Sequence, residues 1–293
     1  MNKYSKKYLD KISSSKVYDV VIKSPITKAE SVSSQFNNKI YLKREDLQPT
    51  RSFKIRGAYN KISNLVEKQK VKHVVTASAG NHAQGVAYSA KSLKIKSTIF
   101  MPKTTPSIKV DSVRNLGAKV ILIGDNFDAA LEDSLLFCKN KKLPFIHPFD
   151  DPLVIAGQGT IGKELLDQFD ENIDIVFVAV GGGGLISGIG AYIKSVKPKI
   201  KIIAVEAADA AGLNASLKAD KRIKLQEVGL FADGAAAKQI GKHNYKLIKE
   251  WIDDSITVST DEICAAVKDT FIDTRTIPEP TGALALACLL YTS

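Results

Sequence analysis

In Asp174-Ile175-Val176-Phe177-Val178-Ala179-Val180-Gly181-Gly182-Gly183-Gly184-Leu185, an apolar run of strand length breaks into four glycines and then into a helical pattern that starts near Leu185. A run without polar alternation belongs to a strand covered on both faces. Glycines have no Cβ, so such a loop bends tightly and aims successive N–H groups at an anion, and the following helix N-terminus adds favourable potential. The flanks are strand and helix rather than polar linker, and the spacing differs from G-x-x-x-x-G-K-[ST], which disfavours an ATP loop.

The alternation extends on both sides. Strand-like segments occur at 73–77, 97–101, 119–123, 145–147, 173–180 and 200–206, separated by helix-length amphipathic spacers, one of them a helix from Asn81 past Tyr88. This βαβ rhythm predicts an α/β fold of parallel or mixed sheets flanked by helices. Two prolines in Pro148-Phe149-Asp150-Asp151-Pro152 interrupt it and mark a boundary. The expected division is 1–51 as the first part of a large domain, 52–150 as a small domain and 151–293 as the remainder of the large one.

The bulk properties exclude several classes. With 44% apolar and 25% charged residues in 293, the chain has the composition of an ordinary globular protein. The net charge of +11 comes from 36 lysines and 6 arginines scattered along the chain, without a basic stripe or aromatic platform, so no nucleic-acid partner is expected. Three cysteines, Cys138, Cys264 and Cys288, lack C-x-x-C spacing and indicate neither a disulfide framework nor a zinc site. No stretch approaches the roughly 18 apolar residues of a membrane span or resembles a signal peptide, so a cytoplasmic location is expected.

Two further segments carry polar chemistry. In Ser52-Phe53-Lys54-Ile55-Arg56-Gly57 the lysine stands where turn-prone residues give way to the helical spacing of Ala58, Ile62, Leu65 and Val66. The positive end of a helix disfavours a second positive charge and favours a nucleophilic amine. Among 36 lysines, position alone does not separate Lys54 from a solvated surface residue. In Ser78-Ala79-Gly80-Asn81-His82 a turn opens a helix, where free amides can bind an oxyanion; Asn81 also suits an N-cap, and the two roles coexist. Amine, asparagine loop and glycine loop together describe a site for pyridoxal 5′-phosphate.

Ser52-Phe53-Lys54-Ile55-Arg56-Gly57-Ala58 resembles the cofactor-lysine motif of the threonine and serine dehydratases, in the tryptophan synthase β-like group of pyridoxal phosphate enzymes. Lys43-Arg44-Glu45-Asp46, Thr76-Ala77-Ser78-Ala79-Gly80-Asn81-His82-Ala83-Gln84-Gly85, Ala156-Gly157-Gln158-Gly159-Thr160 and Val180-Gly181-Gly182-Gly183-Gly184-Leu185 resemble that family in order and spacing, from near Pro25 to near Ala287. Val228-Gly229-Leu230-Phe231-Ala232-Asp233-Gly234 is similar to the biosynthetic branch, which makes 2-oxobutanoate for isoleucine.

The resemblance implies two domains with the active site in the cleft between them, and a carbon–oxygen lyase that turns L-threonine into 2-oxobutanoate and ammonia, with L-serine as a side substrate. A catabolic serine/threonine dehydratase is the alternative. Lys54 would hold the cofactor and take the substrate Cα proton; Phe53 would lie against the ring and Asn81 would bond its 3′-oxygen. Val180 would contact the cofactor, and Gly181, Gly182, Gly183 and Gly184 would hold its phosphate, which would help protonate the departing hydroxyl. Ser78, Ala79, Gly80 and His82 would receive the substrate carboxylate, with no proton-transfer role for His82.

Serine racemases place an acid/base serine at the position of Ala79, so elimination is expected. Relatives with a divalent cation carry a glutamate and an aspartate six residues on; here Glu206 is followed by Gly212, so no metal is expected. Assembly as a homodimer or homotetramer is implied by resemblance only. The family continues past Ala287 with a strand whose serine touches the pyridine nitrogen, and the biosynthetic branch adds a regulatory domain. Cys288-Leu289-Leu290-Tyr291-Thr292-Ser293 departs from that pattern. The chain therefore reads as C-terminally truncated, with an inactive fragment or assembly partner as the other reading.

Overall fold

The computed structural model of the protein describes residues 3–291. In chain order the elements begin with α1 (Lys3–Ser13), β1 (Ile26–Lys28), α2 (Glu30–Gln35), β2 (Tyr41–Lys43), α3 (Lys54–Gln69), β3 (His73–Ala77) and α4 (Asn81–Ser92). Next come β4 (Lys96–Met101), α5 (Ser107–Asn115), β5 (Lys119–Leu122), α6 (Phe127–Lys141) and α7 (Pro152–Gln168). The chain ends with β6 (Ile175–Ala179), α8 (Gly184–Val196), β7 (Lys201–Ala207), α9 (Gly212–Lys218), α10 (Lys242–Trp251), β8 (Asp254–Val258), α11 (Thr260–Thr274) and α12 (Pro280–Tyr291). Contacts divide it into a larger unit, Met1–Ser13, Ser24–Arg44 and Gly159–Ser293, and a smaller one, Ser14–Lys23 and Glu45–Gln158.

The smaller unit is built on the parallel sheet β3-β4-β5, in register from His73↔Lys96 and from Thr98↔Lys119. Val74, Val75, Ala77, Ile99, Phe100 and Met101 are all buried, as expected of a sheet with helices on both faces. On one face α3 and α4 bring Ala58, Ile62, Leu65, Val86 and Ala90 against Val74, the i, i+4, i+7 spacing of one helix face. On the other face α6 brings Leu131, Phe137 and Cys138 against Val75, Ala77 and Phe100. Asn126 starts α6 by accepting from the Ala129 amide at 3.0 Å.

The larger unit repeats the arrangement with the parallel sheet β6-β7-β8. Its core joins Val205, Ala207 and Val258 of the sheet to Ile263 and Ala266 of α11 and Ala283, Leu284 and Ala287 of α12. A reciprocal Ser259–Glu262 capping box opens α11. β1 and β2 form a separate antiparallel pair.

The structure revises one expectation. Residues 145–147 form no strand and pair with β3 through the single bridge Val75↔Phe145, because the prolines at 144 and 148 remove ladder donors on either side. By contacts, residues 14–23 group with the smaller unit: Val17 and Val21 pack on Ile55, and Tyr59 Oη donates to Asp19 at 3.0 Å. The smaller unit also takes in residues 45–158, where Glu45 pairs with Arg56 and Asn60 donates to the Leu153 carbonyl.

Candidate functional site

In the smaller unit, Lys54 is the first residue of α3. Arg51 at φ 56 turns the chain into the helix, and Ser52 Oγ accepts from the Lys54 amide at 3.4 Å. The side chain is half-buried; its Nζ donates to the Pro148 carbonyl at 3.3 Å and lies 5.3 Å from the Phe53 ring centroid. Phe53 thus sits beside the amine, as a cation–π partner. Gly85 lets α4 approach closely: a Cβ there would lie 3.2 Å from the Lys54 carbonyl.

A buried ion pair anchors the same turn. Arg56 is fully buried, and its Nε and Nη2 donate to the two Glu45 carboxylate oxygens, each at 2.8 Å. Gln48 closes the cage by accepting from the Ile22 amide at 3.1 Å and donating to the Ile22 carbonyl at 2.8 Å. Bidentate geometry holds the planar guanidinium in one orientation, so the first turn of α3 has little freedom. Arg56 and Glu45 occur in the motifs quoted above, but nothing in the sequence alone pairs them.

The loop after β3 presents the other polar groups. Ser78 donates its amide to the Phe100 carbonyl at 3.1 Å and accepts from the Gly80 amide on Oγ at 3.2 Å. Asn81 opens α4 and is half-buried. The amides of Ala79 and His82 find no protein acceptor among the described residues. His82 is buried, and its Nε2 lies 3.0 Å from the Ile146 carbonyl. A carbonyl only accepts, so Nε2 carries the proton and Nδ1 keeps its lone pair, with no partner among the described residues. Burial, and then the Lys54 charge, push the ring's pKa down to about 3.

In the larger unit, β6 feeds the glycine loop. Val180 is buried and spends its amide on the Val205 carbonyl at 2.8 Å, so it closes the base of the loop rather than donating from it. The amides of Gly181, Gly182, Gly183 and Gly184 have no protein acceptor among the described residues. Gly183 adopts φ 91, which disfavours any side chain. A Cβ at Gly181 would meet the Ala235 backbone at 2.7 Å.

Glu206 lies near the end of β7 and is fully buried. Its two oxygens accept from the Leu213 and Asn214 amides at 2.7 and 2.8 Å, capping α9. Burial raises its pKa to about 7 against the pull of those amides. Among the described residues no group of three or more histidine, cysteine or acidic side chains is placed to hold a metal ion.

Four unspent amides on a loop closed to side chains suit a phosphate, and a half-buried primary amine suits an aldehyde carbon. These are the demands of pyridoxal phosphate, and the chain belongs to the pyridoxal-phosphate dependent enzyme family, whose model matches residues 17–292. Within it, the chain is similar to the mitochondrial threonine dehydratase of Schizosaccharomyces pombe, with 53% identity over 282 residues, covering 96% of this chain and 47% of that protein. It is also similar to the L-threonine dehydratase biosynthetic IlvA of Escherichia coli, with 50% identity over 280 residues and coverage of 96% and 54%. The chain spans about half the length of these curated relatives. Among solved structures, the processed form of threonine deaminase isoform 2 from Solanum lycopersicum superposes with a TM-score of 0.95 at 46% identity, covering 98% of this chain and 79% of that one. Maize serine racemase superposes with a TM-score of 0.93 at 34% identity, over 97% and 86% of the two chains.

Proposed function

We propose that the chain carries the machinery of a threonine ammonia-lyase, which converts L-threonine to 2-oxobutanoate and ammonia as the first step towards isoleucine, with L-serine as a side substrate. The observation that carries this reading is the half-buried amine of Lys54 on a turn locked by Arg56 and Glu45, in a chain about 50% identical to dehydratases named for threonine. In this reading Lys54 holds the cofactor's aldehyde carbon, Phe53 lies against its ring, and Asn81 bonds its 3′-oxygen. The amides of glycines 181–184 would hold its phosphate, with Val180 closing the base of the loop. When bound, the cofactor withdraws electron density from the substrate Cα and makes its proton removable.

The chain's own groups then divide the work. Lys54 Nζ would take the Cα proton. The loop of Ser78, Ala79, Gly80 and His82 receives the substrate carboxylate; the unspent amides of Ala79 and His82 at the start of α4 support that role. Ala79 offers no atom able to deliver a proton, which favours elimination over racemisation.

The test is to incubate the purified chain with pyridoxal phosphate and L-threonine and to measure 2-oxobutanoate in wild type and Lys54→Ala. Formation by wild type and none by the variant is expected; equal formation, or exclusive racemisation of the amino acid, refutes the reading. A cytoplasmic homodimer or homotetramer completes the proposal, on family resemblance. No helix among the described residues is long and apolar enough to cross a membrane, and sedimentation velocity measures the assembly.

A further inference from the structure

The glycine loop is gripped from behind. The Gly182 carbonyl accepts from Asn244 Nδ2 at 2.9 Å and from the Gly241 amide at 3.2 Å, both at the start of α10. Asn244 is fully buried, and its own carbonyl accepts from Ser187 Oγ at 3.5 Å, which ties it to the first turn of α8. The same residue fills the space that a side chain on Gly183 would need: a Cβ there would lie 3.0 Å from Asn244 Cβ and 2.9 Å from Ile248 Cδ1.

In a planar trans peptide the carbonyl of one residue and the N–H of the next point in opposite directions. Drawing the Gly182 oxygen towards α10 therefore turns the Gly183 N–H away from α10. With no Cβ on either side, the dihedrals flanking that peptide are little restrained by the chain itself, so hydrogen bonds to its carbonyl set its orientation. We propose that Asn244 is a positioning residue for the phosphate: its amide holds the Gly182–Gly183 peptide in the one orientation that presents the Gly183 N–H to the anion. The proposal rests on the glycine loop being the phosphate site.

The partner chemistry explains the choice of residue. A neutral amide donor satisfies the carbonyl without adding charge beside the anion, whereas a carboxylate would face the carbonyl with lone pairs. Asn244 lies 62 residues from Gly182 in sequence, and α10 is not among the motifs that point to the cofactor.

The experiment compares the full apo-chain with Asn244→Leu, which has a similar shape and no donor, and Asn244→Ala. Each is titrated with pyridoxal phosphate and with pyridoxal, which lacks the phosphate, by following the visible band of the lysine-bound cofactor. Thermal unfolding of the apo-proteins establishes that each is folded. Affinity for pyridoxal phosphate is expected to fall about tenfold in both variants, while that for pyridoxal stays within about twofold of wild type. Equal weakening of both ligands, or wild-type affinity for pyridoxal phosphate in either folded variant, overturns the proposal. A wild-type chain that binds pyridoxal as tightly as pyridoxal phosphate overturns the phosphate-loop reading itself, and the positioning role falls with it; the two failures are thus distinguishable.

Discussion

Lowering the pH from 7 to 5 is expected to destabilise the smaller unit through His82. Its ring is 3% exposed, and its pKa falls from 6.5 to about 3, chiefly by burial and then by the Lys54 charge, against the pull of the Ile146 carbonyl. Between those two values the unfolded chain binds a proton that the folded chain refuses. The stability conferred by the neutral ring is therefore complete above the unfolded value and is lost progressively as the pH falls towards the folded one. Linkage with these values gives a loss of about 2 kcal/mol between pH 7 and pH 5. The assay is urea unfolding followed by circular dichroism at both pH values, on wild type and His82→Gln. Glutamine keeps a donor for the Ile146 carbonyl and does not titrate, so the remaining titrations cancel in the comparison. Wild type is expected to lose about 2 kcal/mol more than the variant. Equal losses would refute the argument that burial holds this imidazole neutral.

Glu206→Gln tests the opposite sign in the larger unit. Its folded pKa is raised to about 7, so the folded chain holds a proton that the unfolded one releases, and stability from this source is present below pH 4.5 and is lost as the pH rises to about 7. Unfolding at pH 5 and 7 should show wild type losing about 2 kcal/mol more than the variant over that rise; parallel curves would refute it. Gly157→Ala probes the seat of Lys54: the new Cβ would lie 2.6 Å from the Arg56 carbonyl oxygen and 2.7 Å from Gly57 Cα, backbone atoms that cannot step aside. Overpacking of about 1–3 kcal/mol outweighs a helix-propensity gain of about 1 kcal/mol, so calorimetry should show a Tm lower by several degrees. An unchanged or higher Tm would contradict the close approach.

The strand at 73–77 was legible because burial on both faces leaves an apolar run that needs no partner to identify it, whereas 175–179 carries an equally apolar run although Ile175 is exposed and only Val178 is buried. The segment at 145–147 carries the same apolar character, yet flanking prolines withhold the donors that a ladder needs. β8 was missed because only Ile256 and Val258 alternate between polar neighbours. In the candidate site, Lys54, Asn81 and the glycine loop could be placed at helix starts because local patterns set those ends. What fixes them in place was not legible. Glu45 meets Arg56 and Asn244 meets Gly182 only after the chain has folded, and the tautomer of His82 depends on a carbonyl 64 residues away. The grouping of 14–23 with the smaller unit is equally non-local, resting on Val17 and Val21 packing against Ile55.

The most direct test of the central claim is to load the chain with pyridoxal phosphate, reduce it with borohydride and map the modified peptide by mass spectrometry. The account predicts a single modified residue, Lys54, among the 36 lysines, and no modification of the Lys54→Ala variant. A modification that falls on another lysine, or none in a folded wild-type chain, would contradict it.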